Sequence, residues 1–186
     1  MKAVNSLRFG LAMMALASPL APAMAVDCPF VRAVYAPVED EEFGTITDYE
    51  MTHSLKTIQA NQSRYVATIR APAKGPAAKM RSYDFGFAFS NGYGRTSLVF
   101  AGESAKSAQF KPSKGEDYDA YPSSPILYFD EEMKTLSAAA APEDKPTAPA
   151  YLLMPDIGSS FWYWQKSDRA FVPPGTMWKF KTCRAK

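Results

Sequence analysis

The sequence predicts an all-β domain, or a mainly β domain with one or two short helices. Its expected form is an antiparallel barrel or a two-sheet sandwich closed by a disulfide between its ends. Three observations carry this. A hairpin pattern occupies Ser82 to Ala101, short strand-like runs separated by turn residues recur along the chain, and the two cysteines, Cys28 and Cys183, stand close to the two ends.

In the hairpin, Tyr83, Phe85, Phe87 and Phe89 take every second position, with Asp84, Gly86, Ala88 and Ser90 between them, the alternation of a half-buried strand. Asn91-Gly92-Tyr93-Gly94 supplies residues that tolerate positive φ, and Arg95 to Ala101 leads back. A loop of those four residues sets Phe89 opposite Thr96, Phe87 opposite Leu98 and Phe85 opposite Phe100. The large apolar groups of both strands then share one face, while Gly86 against Val99 and Ala88 against Ser97 make a face of small groups.

The chain opens with Lys2 and Arg8, an apolar run from Phe9 to Leu16, and Ala23-Met24-Ala25 after Pro19 and Pro22, the order of a bacterial secretory signal peptide cut after Ala25. Residues 1–25 are therefore read as a signal peptide and 26–186 as a single β-rich domain, exported to the periplasm or outside the cell. Val26 and Asp27 separate the cut from Cys28, so no lipid anchor is expected, and no later stretch has the roughly 20 apolar residues of a membrane-spanning helix. Of 21 basic residues the signal removes two and no acid, leaving 19 against 19 acidic ones. A balanced chain is a poor partner for nucleic acid or anionic membrane.

In an oxidising compartment Cys28 and Cys183 are most simply one disulfide, since they lack the C-x-x-C spacing of a redox pair. By loop-closure entropy such a bridge contributes about 5 kcal/mol. It also sets the first and last strands side by side and antiparallel, which favours the barrel.

Taken in order, Val31 to Ala36 reads as a strand ended by Pro37, the run Glu39-Asp40-Glu41-Glu42 as a solvated turn, and Phe43 to Asp48 as a second strand. From Thr47 to Ile58 a capping-box pair, Thr47 and Glu50, and a helical stripe of Met51, Leu55 and Ile58 predict a short helix or irregular edge. Tyr65 to Arg70 alternates as a strand, Ala71 to Lys79 is a loop, and Gly102 to Ala120 is irregular with Phe110 as its anchor. Pro125 to Phe129 is strand-like, with Met133 to Leu136 pairing back across Asp130-Glu131-Glu132. The four consecutive alanines and three prolines within Ala138 to Pro149 predict an exposed mobile loop. Tyr151 to Met154 resumes as a strand. Pro173-Pro174-Gly175 then introduces a last one, Met177 to Cys183, with Trp178 and Phe180 on one face and Lys179 and Lys181 on the other.

At Asn91-Gly92-Tyr93-Gly94, and again at Pro155-Asp156-Ile157-Gly158 with Trp162-Tyr163, the chain resembles a group of small secreted bacterial proteins of undefined function. In that group a leading Cys-Pro and a closing cysteine bracket a β-rich domain, as Cys28-Pro29 and Cys183 do here. The resemblance implies fold and compartment, and no activity.

Catalytic signatures are sparse. One histidine and two end cysteines do not make a zinc site, and Asp117-Tyr118-Asp119 fails as a calcium loop, with Pro122 in the glycine position and Tyr128 in that of the final glutamate. No G-x-S-x-G elbow occurs and no serine has lysine three positions on. His53 is therefore the one candidate base, read as an ordinary surface or half-buried histidine. Neither a cofactor nor a metal is expected. A carboxylate pair drawn from Asp84, Glu103, Asp130 and Asp156 would support a hydrolase, with nothing in the sequence to select the pair.

The remaining feature is the aromatic cluster Phe161, Trp162, Tyr163 and Trp164, with Tyr93 at the hairpin turn, as candidate ligand-binding residues. In extended chain Phe161 and Tyr163 point opposite to Trp162 and Trp164, so one pair is left exposed, whereas a short helix buries most of them. The leading expectation is a non-enzymatic binding protein for a protein or envelope-polymer partner. The alternatives are a carrier of a small apolar ligand within a barrel lined by Phe85, Phe87 and Phe89, and the carboxylate-dependent hydrolase.

Overall fold

The computed structural model describes residues 27–38, 49–56, 65–71, 80–89, 95–107, 121–137, 147–164 and 172–185. Ten strands form one antiparallel sheet in the order β6-β5-β4-β3-β2-β1-β10-β9-β7-β8, curled into a half-barrel. The strands are β1 (Ala33–Pro37), β2 (Glu50–Leu55), β3 (Tyr65–Ala71), β4 (Arg81–Phe89), β5 (Thr96–Glu103), β6 (Ser123–Pro125), β7 (Leu127–Phe129), β8 (Thr135–Leu136), β9 (Tyr151–Leu153) and β10 (Met177–Cys183), with one helix, α1 (Ile157–Trp164). Of the two expected forms the described residues follow the barrel rather than the sandwich, with one curled sheet among them rather than two.

Curling brings the ends of the sheet to the same stretch of chain. β6 pairs with β5 and β7 pairs with β9, and Ile126 alone separates β6 from β7. The expected strand from Pro125 to Phe129 is thus split at Ile126, whose amide donates to the Thr96 carbonyl at 2.9 Å and whose side chain is buried. β8 pairs back on β7 as the sequence indicates.

The central hairpin has the expected register, with Phe85 opposite Phe100, Phe87 opposite Leu98 and Phe89 opposite Thr96. Its turn, including Tyr93, lies outside the described residues, as do the expected strand Phe43 to Asp48, the acidic run before it, the Phe110 anchor and most of the Ala138 to Pro149 loop. Toward the other end the pairing slips between Tyr83 and Phe85, where Ala101 and Gly102 together oppose Asp84. Gly102 takes φ 93°, the left-handed conformation such a bulge requires.

β1 and β10 are antiparallel neighbours, and the Cys28–Cys183 bridge beside them has a Cα separation of 5.8 Å. The bridge and the strand pairing agree. β1 begins after a 3-10 turn, Phe30–Arg32, that seats Phe30 in the core.

β2 overturns the expectation of a helix or irregular edge. Glu50–Leu55 pairs with both β1 and β3, with Met51 and His53 inward and Leu55, one of the three residues of the supposed helical stripe, 63% exposed. Over six residues the strand and helix periods fit almost equally well, and the two open strand edges on either side decide the outcome.

The concave side is filled by large side chains from nearly every strand, among them Tyr35, Met51, Tyr65, Ile69, Phe85, Phe87, Leu98, Tyr128, Leu152 and Trp178. His53 lies within this packing, fully buried rather than at the surface, its ring 4.3 Å from that of Phe30 and close to Tyr35, Tyr65 and Phe87.

Candidate functional site

Helix α1 follows the turn Pro155-Asp156 after β9. The Ser160 amide donates to the Asp156 carbonyl at 2.9 Å, the first bond of the helix, and the Ser159 hydroxyl donates to the same oxygen at 3.1 Å. Two serine contacts fix the helix to β6: the Asp156 amide donates to Ser124 Oγ at 3.1 Å, and Ser160 Oγ donates to the Ser123 carbonyl at 3.1 Å. On its other flank Gly158 meets the 172–175 segment closely. A β-carbon there would stand 2.8 Å from the Pro173 carbonyl oxygen, so only glycine lets the two backbones approach as they do.

Ile157 and Phe161, one helical turn apart, face the core and are buried. The Phe161 ring packs edge-on to Phe100 at 5.1 Å and against Phe85 at 5.6 Å. Trp164 leans on Phe100 and Tyr121, at 5.1 and 6.0 Å, while keeping 38% of its surface exposed. Trp162 is 44% and Tyr163 84% exposed.

The segment is thus helical, yet the burial expected of a helix reaches only Phe161. Eight residues give one inward stripe, and three large rings in succession sweep about 200° around the axis. They cannot all enter the core. Trp162, Tyr163 and Trp164 are left exposed on an anchored helix.

A second grouping, on the convex side, was not legible in the sequence beyond Asp84 itself. The Asp84 side chain is buried and accepts four hydrogen bonds: Oδ1 from Thr68 Oγ1 and Ser104 Oγ, both at 2.7 Å, and Oδ2 from Lys56 Nζ at 2.8 Å and Ser107 Oγ at 2.6 Å. Burial alone would raise the Asp84 pKa. The hydrogen bonds from Lys56, Ser107, Ser104 and Thr68 outweigh it and hold the carboxyl below its ordinary range.

Lys56 Nζ also donates to the Ser104 carbonyl at 2.9 Å and to Ser107 Oγ at 2.6 Å. All three ammonium protons are therefore placed on acceptors, and Ser107 Oγ, which accepts one of them, spends its own proton on Asp84. The four acceptor positions of Asp84 are likewise filled. This is the arrangement of a structural clasp joining β2, β3, β4 and the turn after β5. Thr68 is the cross-strand partner of Asp84, whereas Lys56, Ser104 and Ser107 arrive through a bulge and a turn that carry no sequence periodicity.

Of the other three acids, Glu103 and Asp156 are exposed, and Asp130 Oδ1 accepts the Lys134 amide at 2.8 Å in the β7–β8 turn. Among the described residues no three His, Cys, Asp or Glu side chains come together as metal ligands. His53 is a poor base. Burial among aromatic rings pulls its pKa down to about 3, partly opposed by the Ala33 backbone, and neither ring nitrogen has a hydrogen-bond partner of ordinary geometry among the described residues.

Comparison with protein-family models, with curated proteins and with solved structures returns no match. The molecule is defined by its architecture, a disulfide-linked β half-barrel carrying one aromatic helix.

Proposed function

We propose that the chain is a secreted or periplasmic binding protein without catalytic activity, which engages a protein or envelope-polymer partner through the aromatic surface of α1. The observation that carries this reading is the exposure of Trp162, Tyr163 and Trp164 on a helix whose Ile157 and Phe161 are fully packed. Exposed flat rings on a fixed support stack on sugars or on apolar side chains at little entropic cost, because the helix already holds their backbone. The export signal read at Lys2 to Ala25 and the disulfide are consistent with that compartment.

The described side chains favour binding at the surface over carriage in the core. Phe85 and Phe87, which would line an interior cavity, are buried in ring contacts with Phe100, Phe161, Tyr65 and His53.

Tryptophan fluorescence provides the test, since Trp178 is fully buried and Trp162 and Trp164 are the responsive pair. Added envelope polymer, as purified sacculi, or a purified envelope protein should shift the emission of the wild type and leave Trp162→Ala/Tyr163→Ala unshifted and unbound. Equal binding by that variant would overturn the reading. So would turnover of an envelope substrate that is lost on changing Glu103, Asp130 or Asp156.

A further inference from the structure

A groove of about 420 Å³ opens between the β7–β8 turn, the 147–150 segment and β10, and the strand register accounts for it. Tyr128, Leu152 and Trp178 form one row across β7, β9 and β10, fully buried on the inner face of the sheet. Two residues on toward the groove, alternation returns Asp130, Ala150 and Phe180 to that same face, and all three line the groove. The row between them, Phe129, Tyr151 and Lys179, faces outward, with Lys179 Nζ 5.8 Å from the centre of the Tyr151 ring.

The space itself comes from two small side chains. Where the buried row carries Leu152 the next carries Ala150, and Ala148 follows with another methyl. The gap they leave is walled by Phe180 on β10 and by Leu136 on β8, which pairs with Tyr128 and so shares the inner face. Leu136, Ala148 and Phe180 are partly buried against the main core, which makes the wall apolar. Its backbone is fixed: the Phe180 amide donates to the Ala150 carbonyl at 2.9 Å, the Ala148 amide to the Cys28 carbonyl at 2.8 Å, and Tyr35 Oη to the Pro149 carbonyl at 2.9 Å. The Phe180 ring in turn stands edge-on to Tyr35 at 6.0 Å.

The inner face carries charge of one sign at this groove. The Asp130 amide donates to the Lys134 carbonyl at 3.1 Å, and Asp130 Oδ1 accepts the Lys134 amide at 2.8 Å, so the carboxylate is held in place on the side of Leu136. Glu131 follows it at the rim. Among the described residues neither carboxylate has an ion-pair partner, and Lys179, the one cation of the lining, belongs to the outward row.

From this arrangement we infer that the groove binds a small primary amine with an apolar body, of the arylalkylamine class. The ammonium meets the Asp130 carboxylate, and the ring lies over Ala150 between Phe180 and Leu136. A neutral analogue keeps the wall and forfeits the charge, while an anionic one meets Asp130 and Glu131 with like charge.

The test is titration calorimetry of the oxidised protein with 2-phenylethylamine, 2-phenylethanol and 3-phenylpropionate, carried to about 10 mM because molecules this small bind in roughly the millimolar range. The amine should bind saturably, the alcohol about three- to tenfold more weakly, and the acid more weakly still. Asp130→Asn, which keeps an acceptor for the Lys134 amide, should bring the amine down to the level of the alcohol and leave the alcohol unchanged. Ala150→Leu should fill the groove and abolish binding of both, and should that variant fail to fold, the ligand series and Asp130→Asn still decide the matter. Trp162→Ala/Tyr163→Ala should bind the amine as the wild type does, which separates this site from the one on α1. The inference is overturned if the amine does not saturate, if the acid binds as tightly as the amine, or if Asp130→Asn preserves the preference for amine over alcohol.

Discussion

Lys56 Nζ lies 2.8 Å from Asp84 Oδ2, joining the end of β2 to the middle of β4 across the intervening β3. The carboxylate is almost wholly buried while the lysine keeps a third of its side-chain surface in solvent, so the two partners are not equivalent. Removing the lysine strands a buried charge. Removing the acid leaves a cation that can reach water. Lys56→Met should accordingly destabilise the fold by about 2–3 kcal/mol, below the full figure for a wholly buried pair because Lys56 is partly exposed. Asp84→Ala leaves the Thr68, Ser104 and Ser107 hydroxyls without their acceptor and should cost a similar ~3 kcal/mol. Urea unfolding of the two variants, with unchanged m-values, checks both figures.

Stability should fall on acidification, from two directions of the same sign. His53 has a folded pKa of about 3 against an ordinary 6.5, so the unfolded chain binds the extra proton between those values. Its contribution is complete above pH 6.5 and is lost as the pH falls toward 3, at no more than about 1.4 kcal/mol per pH unit. Asp84, also held below its ordinary range, adds its loss at the lower end of the window. The groups facing His53 are the phenols of Tyr35 and Tyr65, with Arg184 donating to its backbone carbonyl, and none of them is an acid that could take up an imidazolium. His53→Leu should flatten the profile between pH 6 and 4 while leaving the steeper fall below it. Chemical denaturation at half-unit pH steps would show whether the slope follows His53.

How far the sequence reveals this molecule depends on the range of the forces involved. The β4–β5 hairpin was readable to the register because its strands are adjacent in sequence and their aromatic alternation permits only one pairing that keeps one face apolar. The β1–β10 pairing was readable for a different reason, since Cys28 and Cys183 mark both strands. β2 was misread because a short run with Met51, Leu55 and Ile58 satisfies a helical period, and nothing local reports the strand edges that claim it. For α1 the aromatic cluster was visible, but its split into one packed ring and three exposed ones depends on Phe85 and Phe100, far away in the chain. The Asp84 clasp gathers residues 16 to 51 positions apart through a bulge at Gly102, and no periodic signal encodes that.

The close approach of α1 to the 172–175 segment makes Gly158 a sensitive position away from any ligand. Gly158→Ala sets a methyl 2.8 Å from the Pro173 carbonyl, a rigid backbone atom, so the helix or the segment must shift. The expected cost is about 1–3 kcal/mol, well beyond the small gain alanine brings to an unobstructed helix. Thermal unfolding would register it, and an unchanged or raised midpoint would show that the two backbones separate easily.

The strongest contrast lies within α1 itself, between two aromatic residues two positions apart. Phe161 is 1% exposed and touches Phe85, Phe100 and Trp164, so Phe161→Ala opens a cavity in the core and should cost about 3–4 kcal/mol. Tyr163 is 84% exposed, and Tyr163→Ala should stay within about 0.5 kcal/mol of the wild type. Partner affinity should reverse that order once each variant is assayed well below its own unfolding midpoint: Tyr163→Ala loses binding while remaining as stable as the parent. A surface kept only for the fold would give the opposite, a Tyr163→Ala variant that binds normally. The pair of measurements thus separates the ring that holds the helix in place from the ring the helix presents.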